Sequence, residues 1–377
     1  MNCEERILAT FRFETTDHPP LFEQSVDGEV VRAILGRPAL GFATDLHYHE
    51  ARARIQGPAA ARDFMGQLLD DLAAFADALG MDMIAPPWLL WQTPAEQLDE
   101  FSFLYRDDEG ECVRAFDPAS RTFGIVRQTP RAEGLDRVRL FVEKRAACAS
   151  DALPLPEEYL DFMQRLLEKC RGRRAVAGAS FFALPVDADW LMALLLDPDL
   201  VEEWLDIMLA MELRSADLHA SLGIRVINGG GDMADKSGPV YSPGIFASMI
   251  LPRLKQIIAR HHEHGAYYIY RTDGNVWPVA KMLLEESGTD AFGEIDIAAG
   301  MDFARLRDQF PKLVLWGGLS CGDLLIRGTT GEIVQEALRL RRLFERDGGW
   351  ILASSNTLLP GTNVKGYLAA LEAVRQK

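Results

Sequence analysis

The strongest constraint on this chain is a rhythm. Short apolar or β-branched runs recur along it, and amphipathic helical stretches fill the intervals. Eight such runs can be read, at 20–24, 81–85, 175–182, 224–228, 266–270, 289–294, 312–316 and 349–354. Several are apolar along most of their length, as strands covered on both faces are. Residues 59–79 carry Leu68, Leu69, Leu72, Phe75, Ala76 and Leu79 at helical spacing. Residues 157–170 carry Leu160, Met163, Leu166 and Leu167 on one stripe, with Pro154 and Pro156 suited to a helix start. Similar helices are expected over 243–264 and 330–347, the second ended by Gly348-Gly349. Eight strands alternating with helices predict an α/β fold, a single (β/α)8 TIM barrel that occupies residues 1–377 as one domain. The competing architecture is a doubly wound open sheet. One stretch breaks the rhythm. Charged turns at Asp107-Asp108-Glu109-Gly110 and Asp117-Pro118-Ala119-Ser120 separate alternating strands, which predicts an antiparallel β-hairpin inserted near 103–127.

Composition narrows the function. Lys and Arg total 40 against 56 Asp and Glu, a formal net charge of −16, so the clustered cations that bind nucleic acid or an anionic membrane are not expected. No apolar run approaches the ~20 residues of a membrane span, and the first residues, Met1-Asn2-Cys3-Glu4-Glu5-Arg6, do not read as a secretory signal. The expectation is a cytoplasmic protein. Five cysteines, at 3, 112, 148, 170 and 321, are widely spaced with no CxxC pair, which suits reduced thiols and excludes a zinc ribbon.

In a barrel, chemistry sits at the C-terminal ends of the strands. There the chain reads Glu23-Gln24, then Pro86-Pro87-Trp88, Asn228 to Asp232, Arg271-Thr272-Asp273-Gly274-Asn275, Glu294-Ile295-Asp296, Gly317-Gly318 and Ser354-Ser355-Asn356. Acids and amides concentrate at one end of the expected barrel. His47-Tyr48-His49 places two imidazoles on one side of an extended segment, and a solvated loop is preferred to a metal pair. His261, His262 and His264 precede Gly265 and are read as cationic residues at a helix C-terminus. Gly229-Gly230-Gly231 matches neither phosphate-loop pattern and is read as close backbone packing. Trp88 and Trp91 are open to two readings, the floor of a flat-ligand pocket or core packing.

From about Asn228 to Val374 the chain resembles the uroporphyrinogen decarboxylase superfamily, which includes cobalamin-dependent methyltransferases. The resemblance rests on Gly230-Gly231-Asp232 with Ser237-Gly238-Pro239, Tyr241-Ser242-Pro243 and Pro252-Arg253-Leu254-Lys255. It continues through Asp273-Gly274-Asn275, Ala299-Gly300-Met301-Asp302, Trp316-Gly317-Gly318-Leu319, Gly348-Gly349-Trp350-Ile351-Leu352 and the tail from Asn363. Glu5-Arg6-Ile7-Leu8-Ala9 and Asp17-His18-Pro19-Pro20 look like the family's beginning, and the likeness is weakest across 90–170.

Departures from the family pattern shape what it implies. The arginine-rich segment that grips substrate carboxylates after the first strand is here Phe22-Glu23-Gln24-Ser25-Val26-Asp27, and Ser355 and Asn356 stand where decarboxylases carry a histidine. The methyltransferases' zinc ligands, His-x-Cys after strand five and Cys after strand eight, are replaced by Arg271-Thr272-Asp273 and Ser354-Ser355. Arginine has no lone pair to give and serine is a poor zinc ligand, so no thiolate zinc site is expected. The chain is similar to the subgroup reading His-x-Asp-Gly-Asn, with Arg in place of His. The resemblance implies methyl (one-carbon) transfer with a corrinoid carried by a partner protein. Decarboxylation of a tetrapyrrole or other acid and a non-catalytic binding role are the alternatives. It implies Asp82, Asp232, Asp273 and Glu294 as catalytic residues, and Glu23, Trp88, Arg271, Asn275, Ser355 and Asn356 as substrate-binding ones. For Asp82 a structural salt bridge is the equal alternative. A small anionic substrate, a corrinoid protein and a homodimer are the partners considered.

Overall fold

The structure, a computed structural model, describes residues 1–148 and 157–376; the helix start expected at Pro154 and Pro156 lies outside them. In chain order the strands are β1 (Met83–Ile84), β2 (Glu96–Gln97), β3 (Ser102–Asp107), β4 (Gly110–Asp117), β5 (Thr122–Pro130), β6 (Ala175–Ala179), β7 (Val226–Gly230), β8 (Tyr267–Arg271), β9 (Ala291–Gly293), β10 (Val314–Leu319) and β11 (Trp350–Ser354). Seven of them form one curled sheet in the order β1-β6-β7-β8-β9-β10-β11, and every pairing in it is parallel. That arrangement excludes the doubly wound order and belongs with barrel-like α/β folds.

The run expected as the first strand is reduced to a single rung, Leu21 against Leu352. It still reaches both edges of the sheet. Phe22 N donates to Leu352 O at 3.2 Å, and Asp82 N donates to Leu21 O at 2.9 Å. Asp82 explains why so short a segment holds. Its carboxylate accepts from Leu21 N at 2.8 Å and pairs with Arg6, which also holds Asp17 at 2.7 Å.

The helices follow their local signals. Asn2 and Glu5 form a capping box on Cys3–Phe11. Pro58 opens Pro58–Leu79, and Gly80 closes it in the left-handed region at φ 63. Glu157–Cys170 and Thr330–Phe344 form where their apolar stripes lie, the second with a Thr329–Glu332 capping box. The helix expected over 243–264 is interrupted by a wide turn, Phe246–Ile250. Pro252 has no N–H for the carbonyl four residues back, and Leu251 N bonds Phe246 O instead.

The insertion is larger than the expected hairpin, a four-stranded antiparallel sheet in the order β2-β3-β4-β5. It has its own small core of Tyr48, Ala51, Phe103, Tyr105 and Phe123. Arg121, at the β4–β5 turn, ties it down by reaching Asp27 at 2.9 Å and Asp45 at 2.7 Å. His47 and His49 lie in the helix Asp45–Ile55, not in an extended loop, so residues two apart face different ways. Among the described residues no helix is long and apolar enough to cross a membrane.

Arg6 is 6% exposed and Asp82 fully buried, so Arg6→Ala strands a buried carboxylate. Urea unfolding is expected to show a loss of about 3–5 kcal/mol, the cost of breaking a buried pair.

Candidate active site

Side-chain alternation decides what enters the mouth. A Cβ at Gly178 or Gly229 would collide with His219 or Tyr268 in the outer layer, whereas a Cβ at Gly293 would collide with Trp316. Asn228 and Arg271 lie on the opposite face from Gly229 and Tyr268, with Asn228 beside Ile269 and Gly230 beside Arg271. Tyr267, on the same face as Arg271, stacks on Phe11 at 4.6 Å. Phe22 stacks on Trp316 at 4.9 Å. These residues fill the interior, and Arg271 is the last of its strand, at the mouth.

Arg271 is 3% exposed, and its Nη1 lies 3.5 Å from Glu294 Oε2. Its Nε has no hydrogen-bond partner. The Trp88 ring covers its guanidinium at 4.1 Å. Trp88 is itself 55% exposed, and its carbonyl accepts from His47 Nε2 at 3.0 Å. Glu294 directly follows β9 with φ 60, a left-handed conformation that costs a non-glycine residue about 1–3 kcal/mol. Burial pushes its carboxyl up to about 7, with Arg271 pulling down and Asp273 and Asp232 pushing up. Asp273 is raised by burial and then by Asp232, partly offset by Asn356, whose Nδ2 donates to Asp273 Oδ2 at 2.9 Å. Asp232 is exposed. Asp296 spends Oδ1 capping Ala298 N and Ala299 N.

Asp232, Asp273, Glu294, Arg271, Trp88 and Asn356 are therefore brought together. Others are not. Glu23 faces outward, accepting from Ser354 N at 2.7 Å, Ser354 Oγ at 2.6 Å and Tyr367 Oη at 2.6 Å. It fastens the end of β11 to the C-terminal helix Val364–Arg375 and does not line the mouth. Asp82, beside Arg6 and before β1, sits toward the other end of the sheet, away from the strand ends. Asn275 Oδ1 caps its own turn through Trp277 N at 3.1 Å. Ser355 Oγ accepts from Cys321 N at 3.2 Å. Trp91 packs on Tyr159 away from Arg271. His262 and His264 pair with Asp290 and Asp217. His261 is buried against Tyr268 and His219, and burial lowers it to about 3, so it carries no helix-end charge.

Sequence reasoning missed Glu212. It lies on the helix Pro198–Ser221, accepts from Ser180 Oγ at 2.5 Å and Phe181 N at 3.3 Å, and burial pushes it up to about 7. Tyr268 Oη lies 3.1 Å from the same Ser180 Oγ, which joins the end of β6 to a side chain from the first half of β8. The signal was available: Glu212 interrupts a buried stripe that includes Leu205, Met208, Ser215, Ala216 and His219. Cys321, also missed, meets Ser355 Oγ at 3.4 Å.

Thiolate zinc does not fit this donor set. The positions that would hold it carry Arg271, Asp273 and Ser355, and among the described residues no three His, Cys, Asp or Glu side chains converge on one point.

A curled parallel sheet with a buried cation and several carboxylates at its strand ends defines a barrel-like α/β protein with a polar site in its mouth. The sequence profile of the family "Uroporphyrinogen decarboxylase (URO-D)" matches residues 187–377, just over half of the chain, and the chain belongs to that family. The structure is similar to a methyltransferase from Methanosarcina mazei, with 18% identity over 99% of this chain and 98% of that one and a TM-score of 0.65. A sugar phosphate isomerase/epimerase from Parabacteroides distasonis is a looser likeness, with 9% identity over 82% of this chain and 88% of that one and a TM-score of 0.37. No curated protein matches the chain.

Burial pushes Glu23 up to about 7. A carboxyl raised in the fold stabilises fully below its unfolded value, and that contribution is lost as pH rises through the folded value. Glu23→Gln should therefore flatten the fall in urea midpoint between roughly pH 4.5 and 7, measured against the unmodified protein.

Proposed function

We propose that this chain is a methyl (one-carbon) transferase of the URO-D family. It works as an eight-membered (β/α)8 barrel whose eighth position is the segment at 20–23, and acts in the cytoplasm on a small substrate with an anionic group. The observation that carries this reading is the pairing of Arg271 with Glu294 under Trp88. Arg271 keeps its charge at any working pH and can grip a carboxylate or phosphate through two parallel hydrogen bonds. Glu294, raised to about 7, can hold a proton at neutral pH and deliver it to a leaving group, or take one from an acceptor. Asp273, steadied by Asn356, places a second carboxyl group beside them. Trp88 excludes water from the guanidinium and strengthens its hold on the substrate.

A corrinoid brought by a partner protein would supply the cobalt that takes up or gives the methyl group. The rim suits its flat apolar face, since Trp88, Phe181, Val240, Ile297 and Leu359 are all exposed on segments that follow strands. Decarboxylation is the second reading, favoured by the same pairing, because a held anion beside a protonated carboxyl is what protonation of a carbanion needs.

The two readings separate in one experiment. Enzyme, cob(I)alamin and methylated carboxylates are followed by cobalt absorbance and by CO2 release. Methyl-cobalt formation supports the proposal, whereas CO2 release with unchanged cobalt overturns it. With the active substrate, Arg271→Lys should raise KM by the equivalent of about 1–3 kcal/mol, the worth of a charged hydrogen bond. Glu294→Gln should lower kcat roughly 10²–10⁴-fold. As a proton donor Glu294 works only while protonated, so activity of the unmodified enzyme should fall as pH rises through about 7. Glu294→Gln should remove that limb.

A further inference from the structure

The mouth holds more negative than positive charge. Arg271 is the cation, while Asp232 acts through space on both Asp273 and Glu294, and Asp273 acts on Glu294. A purely anionic ligand would gain from Arg271 and lose to the carboxylates of Asp232 and Asp273. Two buried polar atoms facing the interior also lack partners. One is Arg271 Nε, a donor; the other is Asn228 Oδ1, an acceptor on a side chain only 6% exposed. The two residues belong to neighbouring strands and share the inward face, with Asn228 two positions below the rung that joins Gly230 to Arg271. A buried donor and a buried acceptor each carry a desolvation cost when unsatisfied. Together they ask for a ligand that both accepts and donates.

We infer that the mouth takes a small zwitterion, with its carboxylate on Arg271 and an N–H-bearing ammonium directed at Asn228 Oδ1 within the field of Asp232 and Asp273. This rests on reading the same mouth as the substrate site and specifies the ligand's chemical class. Each charge meets its complement. The carboxylate takes the donors that Glu294 reaches only at 3.5 Å, and the ammonium offsets the carboxylates that would otherwise repel it. Its N–H satisfies the Asn228 acceptor, which a bare anion cannot do.

Three ligands of nearly one shape test the idea by titration calorimetry at pH 7. N,N-dimethylglycine carries both charges, 3-methylbutanoate keeps only the carboxylate, and N,N-dimethylethylammonium keeps only the cation. Dimethylglycine, or a zwitterion from a set with one to four bonds between its charged groups, should bind at least tenfold tighter than the matched anion and the matched cation. Asp232→Asn, a change at an exposed residue, should cut the zwitterion-over-anion preference to threefold or less with an unchanged melting temperature. Asn228→Leu should do the same, with circular dichroism confirming the fold. The inference is overturned if 3-methylbutanoate binds as tightly as dimethylglycine, if the cation does, or if no zwitterion in the set binds. Zwitterion binding without methyl transfer would leave the inference and remove the proposed activity. Methyl transfer from an anion that has no ammonium would do the reverse.

Discussion

The seam at residues 20–23 is the contact on which the rest of the mouth depends. A curled sheet whose edges stay apart would expose unpaired N–H and C=O groups and let the strand ends splay. Here a single rung at Leu21 is reinforced from both directions. Below it Asp82 holds Leu21 N and is neutralised by Arg6. Above it Glu23 gathers Ser354 and Tyr367. The end of β11 is thereby placed, and with it Asn356, which carries Asp273. Two buried carboxylates outside the site thus fix the position of one inside it.

Charge in the mouth is organised by burial as much as by pairing. Arg271 is almost fully enclosed, yet its one carboxylate contact is long and an aromatic face supplies the other side. Glu294 reaches it from a left-handed backbone, a conformation the surrounding strand ends must over-determine for it to persist. Desolvation opposes the charge on Glu294 and Asp273 while repulsion from Asp232 adds to the same effect on both. The outcome is a pair of carboxyl groups, both raised by burial, beside the Arg271 guanidinium.

The glycines of the sheet are space for larger neighbours. Gly178 admits His219, Gly229 admits Tyr268 and Gly293 admits Trp316. In the outer layer this lets a polar group, Ser180 with Glu212 and Tyr268, occupy what would otherwise be an apolar wall. That group ties the end of β6 to Tyr268 of β8.

Much of this was written in the chain's local patterns. The βα alternation, the helical stripes over 59–79 and 157–170, the turn-rich insertion, and the strand-end acids Asp232, Asp273 and Glu294 follow from periodicity and residue type, because backbone sterics and apolar burial act over a few residues. Tertiary structure decided which of those side chains meet. Glu23 reads as a site residue because it ends the expected first strand, and Asp82 reads equally as a functional residue or half of a salt bridge; their partners, Tyr367 and Arg6, lie 344 and 76 residues away in the chain. His261 reads as a helix-end cation until Tyr268 and His219 enclose it. Glu212 interrupts an apolar stripe in the sequence, but its partner is set only once its helix is laid against Ser180. Sequence spacing sets the direction of a side chain relative to its own element. Whether that direction meets water, a charge or the wall of a barrel is set by elements far away in sequence, through desolvation and Coulomb terms that have no local signature.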